Sequence, residues 1–569
     1  MTTTLDQELD AVVARLASGD RAWARMTLVQ RRDLLLEVCA AVAAHADEWV
    51  RIATEIKQLE PGSALTGEEW ISGPYAVIGY CQAVQDTLVR LAVGSDVLAG
   101  YPVRPAPGDR LAVQVLPHGA FDKLILSGFR AEVWTTPGIT DRELRAQAGL
   151  GQRTPERTGG VALVLGAGNI FSIAPLDVLH QLYAENRTAV LKLNPITDPL
   201  APVLRAIFQP LIDRDLVEIV TGGPEVGAAL ADHPGIHAVH MTGSEATHDA
   251  IVWGTGEQAA AAKAIGAPKL AKPITSELGG VCPIIIVPGE WSRADLRFQA
   301  EHVATQRLHN SGSNCIATQI VILSSDWPQK DKFLAALRQA LAKTPARPAW
   351  YPGSDVRVRS ARRLHPAAEH VGGTPERTLL TGLDLTDANE SAFSTEYFGP
   401  VLGVAELPGT GAEFLDAAVA TANERLHGTL GANLIVHPKT MKVLGGRLRA
   451  AIADLRYGTI GVNAWTGIGF LTSRATWGAF PGHTLADVQS GIDVVHNALL
   501  LDNTERTVIT GPFRPAPRSV LHGELSLTPR PPWFVTNRTA DHTGRLLTEF
   551  AARPRWRALP AIFASALRG

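Results

Sequence analysis

Four short stretches carry residue types at spacings suited to chemistry. In QRLHNSGSNCIATQIVIL, Cys315 stands between a polar, glycine-containing turn and an apolar segment. A thiol presented at the end of an element can act as a nucleophile, although the same place also suits a small cysteine buried in a turn. In KPITSELGGVCPIIIV, Glu277 precedes Gly279, Gly280 and then a strand. A carboxylate fixed on such a turn serves as general base for a water once burial raises its pKa; the position equally suits the surface end of a helix. In HAVHMTGSEATHDAIVWG, a strand runs through Thr242 and Gly243 to Ser244 and a helix. Backbone N–H groups there can meet an anion, and Ser244 also makes a good N-cap with no ligand at all. Finally, VALVLGAGNIFSIAP, residues 161 to 175, opens like a nucleotide-binding strand and turn with Gly166 and Gly168. It then departs from the dinucleotide fingerprint, with Asn169 next and Phe171 in place of the third glycine.

These stretches need elements to position them. Residues 5 to 56 read as helices, with Leu35, Val38, Val42, Ala46 and Trp49 near one face, and another helix is expected over about 70 to 91. From 160, short β-branched strands alternate with helices, and a second such series starts at CPIIIV. That pattern predicts α/β architecture with two successive open parallel-sheet domains. Residues 101 to 158, with strands RLAVQVLPHG and AEVWTTPG, form an excursion between the helices and the first series. Beyond Asn497 the composition changes to proline, arginine and apolar residues, which predicts a packed C-terminal extension.

Composition narrows the function. The 569 residues are 46% hydrophobic with a formal net charge of −3, enough apolar surface for more than one core and no global field for nucleic acid or anionic lipid. The longest uncharged run, 158 to 176, is interrupted by Gly166, Gly168, Asn169 and Pro175, so no membrane span is expected. Asp6, Glu8 and Asp10 stand where a secretory signal carries basic residues, and a cytoplasmic protein is expected. Cys39, Cys81, Cys282 and Cys315 contain no Cys-x-x-Cys pair. They read as reduced thiols, and no metal site is expected.

Taken together and in order, Asn169, Lys192, Thr242-Gly243-Ser244, Glu277-Leu278-Gly279-Gly280, Cys315 and Glu396-Tyr397-Phe398-Gly399-Pro400-Val401 resemble the aldehyde dehydrogenase superfamily. NSGSNC is similar to its nucleophile motif, SELGG to its general-base motif, HMTGS to its turn before a helix, EYFGPV to its cofactor loop and YGTIGVN to a later segment. The likeness runs from about residue 20 to about 497. It implies a Rossmann-like cofactor domain, a catalytic domain and a β arm, divided as 1–273 with 101–158 as arm excursion, 274–475, 476–501 as a return with the arm strand GIDVVHNALLL, and 502–569 as an extension without counterpart. It also implies oxidation of an aldehyde to an acid with NAD or NADP. Cys315 would attack the carbonyl, Asn169 would hold the oxyanion and Glu277 would activate the hydrolytic water. Lys192, Thr242, Gly243, Ser244, Leu278, Gly279, Glu396 and Phe398 would contact cofactor. Assembly as a homodimer or higher homo-oligomer is implied as well.

Three departures from the family pattern carry their own expectations. Gly168 replaces the usual bulky residue before the asparagine, which suggests space beside the reacting carbon. Pro195 stands where NAD-preferring members often have a glutamate, which makes NADP use plausible. Ser313 replaces the usual glutamine of the nucleophile motif. Trp465, Phe470, Trp477 and Phe480 come where relatives line the substrate mouth, hinting at an apolar or aromatic aldehyde. Two alternatives stay open: a CoA-dependent acylating enzyme or acyl-CoA reductase, which Glu277 argues against, and a catalytically silent structural or binding member.

Overall fold

The computed structural model describes residues 2–372 and 376–569. Among them, strands build a six-stranded sheet, an eleven-stranded sheet and a two-stranded pair. The six-stranded sheet runs Gly491–Ile492, Ile274–Leu278, Ala238–Gly243, Val161–Leu165, Thr188–Lys192, Val217–Val220, parallel except at its first strand. Alternation along its strands feeds two cores. Leu163 and Val190 pack with Leu9, Val13 and Leu230, whereas Val164 and Leu191 pack with Leu179 and Phe208. Burial on both faces explains why these strands read as continuous apolar runs.

Register then decides where the polar residues emerge. Leu165 pairs with Lys192 and with Met241, and Thr242 pairs with Glu277. Gly166 to Asn169, Lys192, Gly243 to Ser244 and Glu277 to Gly279 therefore leave the sheet along its carboxyl edge, where open α/β sheets bind ligands. Strand Ile274–Leu278, at the expected division near 274, belongs to this sheet, and the next strand in sequence, Cys282–Ile286, belongs to the larger one.

The larger sheet has the order Val103–Ala106, Arg110–Leu116, Arg130–Thr135, Thr504–Thr510, Thr459–Val462, Gly431–Ile435, Cys282–Ile286, Thr318–Ser324, Val401–Leu407, Arg377–Leu383, Glu369–Val371. The early hairpin does meet a late strand, but that strand is Thr504–Thr510 and not the expected 491–501 stretch. Gly491–Ile492 joins the six-stranded sheet, and Val494–His496 pairs with Thr476–Gly478. Thr504–Thr510 also runs parallel to Thr459–Val462, so the hairpin is continuous with the rest of the larger sheet within one chain.

Residues beyond 510 wrap back onto the N-terminal helices. Helix Ala540–Ala552 lies so close to Gly67–Trp70 that a Cβ on Gly67 would come 2.3 Å from the Ala540 carbonyl carbon, and one on Gly544 would come 2.9 Å from Trp70 Cβ. Only glycine permits that approach. Asp541 accepts hydrogen bonds from Thr66 Oγ1 and, at 3.0 Å, from Trp70 Nε1. The helix expected over 70–91 is interrupted at its start by a π turn, Ile71–Tyr75, in which Gly73 leaves helical geometry before Pro74. Such turns re-aim side chains, and this one aims Ile71 at the site described next.

Candidate active site

Cys315 follows a loop held in an unusual conformation. Asn310, Ser311 and Gly312 all have left-handed backbones, with φ of 52°, 56° and 79°. The first two are disfavoured there, and side-chain hydrogen bonds offset the cost. Asn310 Nδ2 donates to the Asn169 and Ser313 carbonyls at 3.1 and 3.0 Å, and Ser311 Oγ donates to Pro348 O at 2.8 Å. Gly312 is required sterically, since a Cβ would lie 2.6 Å from Gly399 O. The buried Arg307 guanidinium holds the far side through Gly312 O at 2.9 Å. Asn169 is brought to the same loop, its Nδ2 donating to Ser313 O at 3.0 Å. A side-chain amide has two N–H donors, so one remains for a ligand. Ser313 contributes through its carbonyl, which is independent of the side chain that differs from the family motif.

Glu277 lies across from the thiol. Cys315 Sγ donates to Glu277 Oε1 at 3.8 Å, and Trp477 Nε1 donates to the same oxygen at 2.6 Å. Glu277 Oε2 is buried without a partner. Burial, and then the nearby Asp177 carboxylate, push the Glu277 pKa up to about 7, against the Trp477 hydrogen bond and the His240 charge. Burial, followed by the Glu277 and Glu396 charges, raises the Cys315 thiol well above its usual range. Such a thiol needs a proton acceptor to become a nucleophile, and Glu277 is in place.

Behind Glu277 sits a buried pair that sequence reasoning missed. His240 Nε2 lies 3.4 Å from Asp177 Oδ2, which also accepts from Thr242 Oγ1 at 3.0 Å. A signal was available: Asp177 is the sole charged residue in the apolar stretch SIAPLDVL, and His240 interrupts a strand. The Thr242 hydroxyl is thus turned inward, away from the cleft its residue helps line.

That cleft, of about 730 Å³, runs along the carboxyl edge of the six-stranded sheet to Cys315. Asn169, Lys192, Gly243, Ser244, Glu396 and Phe398 line it, together with Glu277 and Gly279. Ser244 caps helix Glu245–Val252 by accepting from Thr247 N at 3.2 Å, which leaves exposed N–H groups at the helix start. Burial depresses the Lys192 pKa, against Asp198 and Glu225. Glu396 is wedged over Gly279, where a Cβ would come 2.0 Å from its Oε1. That oxygen has no partner, and burial pushes the carboxyl up to about 7 against Arg307 and Arg357. Phe398, at φ 45°, packs its ring edge-on to Tyr351. Leu278 is not brought to the cleft: its side chain joins the core, and its N–H donates to Ser490 O.

On the opposite side, Cys315 borders a narrow apolar pocket that includes Trp465, Phe470 and Trp477. Phe480 is absent from it and instead faces the Arg506 guanidinium at 5.0 Å. Gly168 also departs from expectation. It lines the cleft, and a Cβ there would lie 2.8 Å from Asn194 Cγ and Ile196 Cγ2, so its smallness makes room for the turn after Lys192 and not for an aldehyde. Elsewhere, ligand atoms of Asp295, His437 and His522 gather within 4.8 Å of one another. Asp295 Oδ1 already accepts from Arg514 Nη1 at 2.8 Å, so the guanidinium supplies the cation and ties the C-terminal segment to helix Arg293–Leu308.

Comparison with known proteins gives this geometry a lineage. The sequence profile of the aldehyde dehydrogenase family matches residues 159–473. A coniferyl aldehyde dehydrogenase from Pseudomonas sp. is 26% identical over 268 residues, 43% of this chain and 51% of the relative. The 3,6-anhydro-alpha-L-galactose dehydrogenase of Streptomyces coelicolor is 26% identical over 326 residues, 57% of this chain and 51% of the relative. The matched segment thus spans about half the length of these relatives. Among solved structures, the NADP-dependent glyceraldehyde-3-phosphate dehydrogenase of Bacillus halodurans, complexed with NADP, aligns with a TM-score of 0.59 at 18% identity, covering 89% of this chain and 91% of that one. The indole-3-acetaldehyde dehydrogenase of P. syringae, in complex with NAD+, aligns with a TM-score of 0.58 at 18% identity, covering 89% of each chain. At that identity the likeness speaks for the fold. With the profile covering more than half of the residues and a matching architecture, the chain belongs to the aldehyde dehydrogenase family.

Proposed function

We propose that this protein oxidises an aldehyde to the carboxylic acid with NAD or NADP, using Cys315 as nucleophile, Asn169 as oxyanion donor and Glu277 as base. The observation that carries the reading is the shared placement of Cys315 Sγ, the Glu277 carboxylate and the Asn169 amide along the cleft, with Cys315 also bordering the apolar pocket.

The cleft suits a dinucleotide. Glu396 Oε1 is a buried acceptor lacking a protein partner, which fits ribose hydroxyls, and the exposed N–H groups at Ser244 fit a pyrophosphate. Lys192 would reach the adenosine ribose and Phe398 would flank the nicotinamide. Pro195 places no carboxylate against a 2′-phosphate, which supports use of either cofactor. When bound, the nicotinamide supplies the hydride acceptor.

Glu277 takes the Cys315 proton, and the thiolate forms a C–S bond to the carbonyl carbon. The oxyanion produced is met by the free N–H of Asn169 and the Cys315 backbone N–H. Loss of the aldehyde C–H electron pair to the acceptor restores C=O as a thioester on Cys315. Glu277 releases the thiol proton to solvent through the cleft and, ionised again, removes a proton from water as its oxygen attacks the thioester. The C–S bond breaks, the acid leaves and the thiolate is regenerated. Trp477 keeps the Glu277 carboxylate aimed at sulfur throughout.

The test is product analysis with a panel of aldehydes, NAD or NADP, with and without CoA. Free acid without CoA is expected, together with an acyl adduct on Cys315 by mass spectrometry and none in Cys315→Ala. Acyl-CoA formed only when CoA is present would replace hydrolysis by acylation, and no cofactor reduction with any aldehyde would end the reading.

A further inference from the structure

The apolar pocket beside Cys315 does not end in the family-like body of the chain. Ile71, Leu471 and Trp533 form its outer wall, and the same three residues wall a second apolar chamber beyond. The rest of that chamber is largely C-terminal, with Leu547, Ile562 and Phe563 facing inward from helices Ala540–Ala552 and Leu559–Ala566. We infer that pocket and chamber form one track, and that the substrate aldehyde carries a long unbranched apolar tail running from Cys315 past Trp533 into the chamber built by the C-terminal segment. This rests on Cys315 being the residue that meets the carbonyl.

Three features support the track. First, its C-terminal wall is anchored firmly, through the glycine-mediated contacts of Gly67 with Ala540 and of Gly544 with Trp70, and through the Asp541 and Arg514 bonds. Trp533 and Phe534 are buried in the same core as Phe298 and Trp465. Second, the ionisable groups beside the track are already engaged. Glu68 pairs with Arg347 and accepts from Asn310 N at 3.0 Å. His309 is held neutral, its pKa lowered by burial and the neighbouring Arg347 and Lys57 charges. Arg530, at the chamber, faces Glu301 at 3.6 Å. None of these offers a free counter-charge to a substrate carboxylate or phosphate, whereas an alkyl tail needs none. Third, free space is small in both parts, about 50 Å³ in the pocket and about 70 Å³ in the chamber, which suits a slender chain of methylenes better than a bulky branched group.

The test is a series of n-alkanals from propanal to tetradecanal, oxidised by the full-length protein. kcat/KM is expected to rise by about fourfold for each methylene added, and to keep rising beyond the length that fills the inner pocket. Two variants act in opposite directions. Trp533→Leu widens the passage and should raise the dodecanal-to-butanal ratio of kcat/KM by about tenfold, whereas Leu547→Phe fills the chamber and should lower it by about tenfold. A plateau at short chain length, a preference for aromatic aldehydes over decanal, or variants that change all lengths equally would overturn the inference while leaving aldehyde oxidation intact. If no alkanal of any length reduces cofactor or modifies Cys315, both readings fall together. The wild-type series needs no variant, so misfolding of either one cannot rescue the proposal.

Discussion

Toward the sheet edge, Cys315 faces a cleft of about 730 Å³ walled by glycine backbone, a lysine, a helix N-terminus and two buried carboxylates. Away from it, the same sulfur faces about 50 Å³ of free space walled by isoleucine, leucine, phenylalanine and tryptophan. The polar side is wide, as a large charged ligand requires. The apolar side is narrow, and Trp533 from the other end of the chain forms part of its wall. The contrast also separates the proton chemistry. Both carboxylates raised to about 7, Glu277 and Glu396, are reached from the cleft, and among the described residues the groups on the pocket side are paired or held neutral.

The most severe way to break this division is to remove Glu277, the proposed base. Glu277→Gln is expected to lower steady-state turnover by about 100- to 10,000-fold, with formation of the acyl adduct on Cys315 slowed as well when followed by mass spectrometry, because the same carboxylate takes the thiol proton. The pH profile gives an independent check. Because the Glu277 carboxyl is raised from its usual 4.5 to about 7, it is neutral below that pH and cannot accept a proton. Wild-type activity should therefore fall as pH drops through about 7, and the residual activity of the variant should lack that acid limb. A variant that keeps the limb would move the base elsewhere.

Asn169 tests the junction from the oxyanion side. Asn169→Ala should reduce kcat by about 100- to 1000-fold, with cofactor affinity measured by fluorescence titration little changed, because the amide faces Ser313 O and the reacting centre more than the far cleft. Near-normal turnover would show that the Nδ2–H not engaged by Ser313 meets no developing charge.

How far these roles were legible depends on what kind of information each residue carries. Cys315, Glu277 and Asn169 stand in motifs whose backbone geometry is local: three left-handed residues before the cysteine, and glycines after the glutamate that a Cβ would fill. Local constraint leaves a trace in local sequence. The alternating strands were readable for the same reason, since burial on both faces forces an apolar run. Partnerships across the fold leave no such trace. Trp477 reads as one more substrate aromatic until tertiary structure puts its N–H on Glu277, and Phe480 reads alike until it is found against Arg506. Leu278 sits inside a motif, but strand alternation turns it to the core. The late strand was misplaced because DVVHNALLL is the more apolar stretch, whereas TERTVIT earns its place by cross-strand pairing with Arg130–Thr135.

Lys192 sharpens the cofactor side. Its ammonium is partly desolvated in the cleft and near no direct carboxylate hydrogen bond among the described residues. A charge-assisted hydrogen bond to a ribose or phosphate oxygen is worth about 1.5–3 kcal/mol, so Lys192→Ala should weaken cofactor binding by about tenfold or more. NADP should suffer more than NAD if the lysine meets the 2′-phosphate. Equal losses would place it on a hydroxyl, and no loss in calorimetry would remove it from the site.

The smallest effect probes the residue that most clearly separates the two sides. Read from sequence, Gly168 suggests space beside the reacting carbon. In the fold, the space its missing Cβ leaves is taken by Asn194 and Ile196. Asn194 caps the turn after Lys192 by accepting from Ile196 N at 3.2 Å, so a methyl group at 168 pushes on the turn that carries Lys192 and Pro195. Gly168 has an ordinary backbone conformation, without positive φ, and Gly168→Ala should fold. Overpacking of this kind costs about 1–3 kcal/mol where neighbours cannot move, but an exposed turn yields in part. The KM for NAD or NADP is therefore expected to rise severalfold, while the ratio of kcat/KM between long and short alkanals stays unchanged. Were the alkanal ratio to move and the cofactor KM to hold, Gly168 would belong to the substrate side after all, and the boundary between cleft and pocket would have to be drawn on the other side of Asn169.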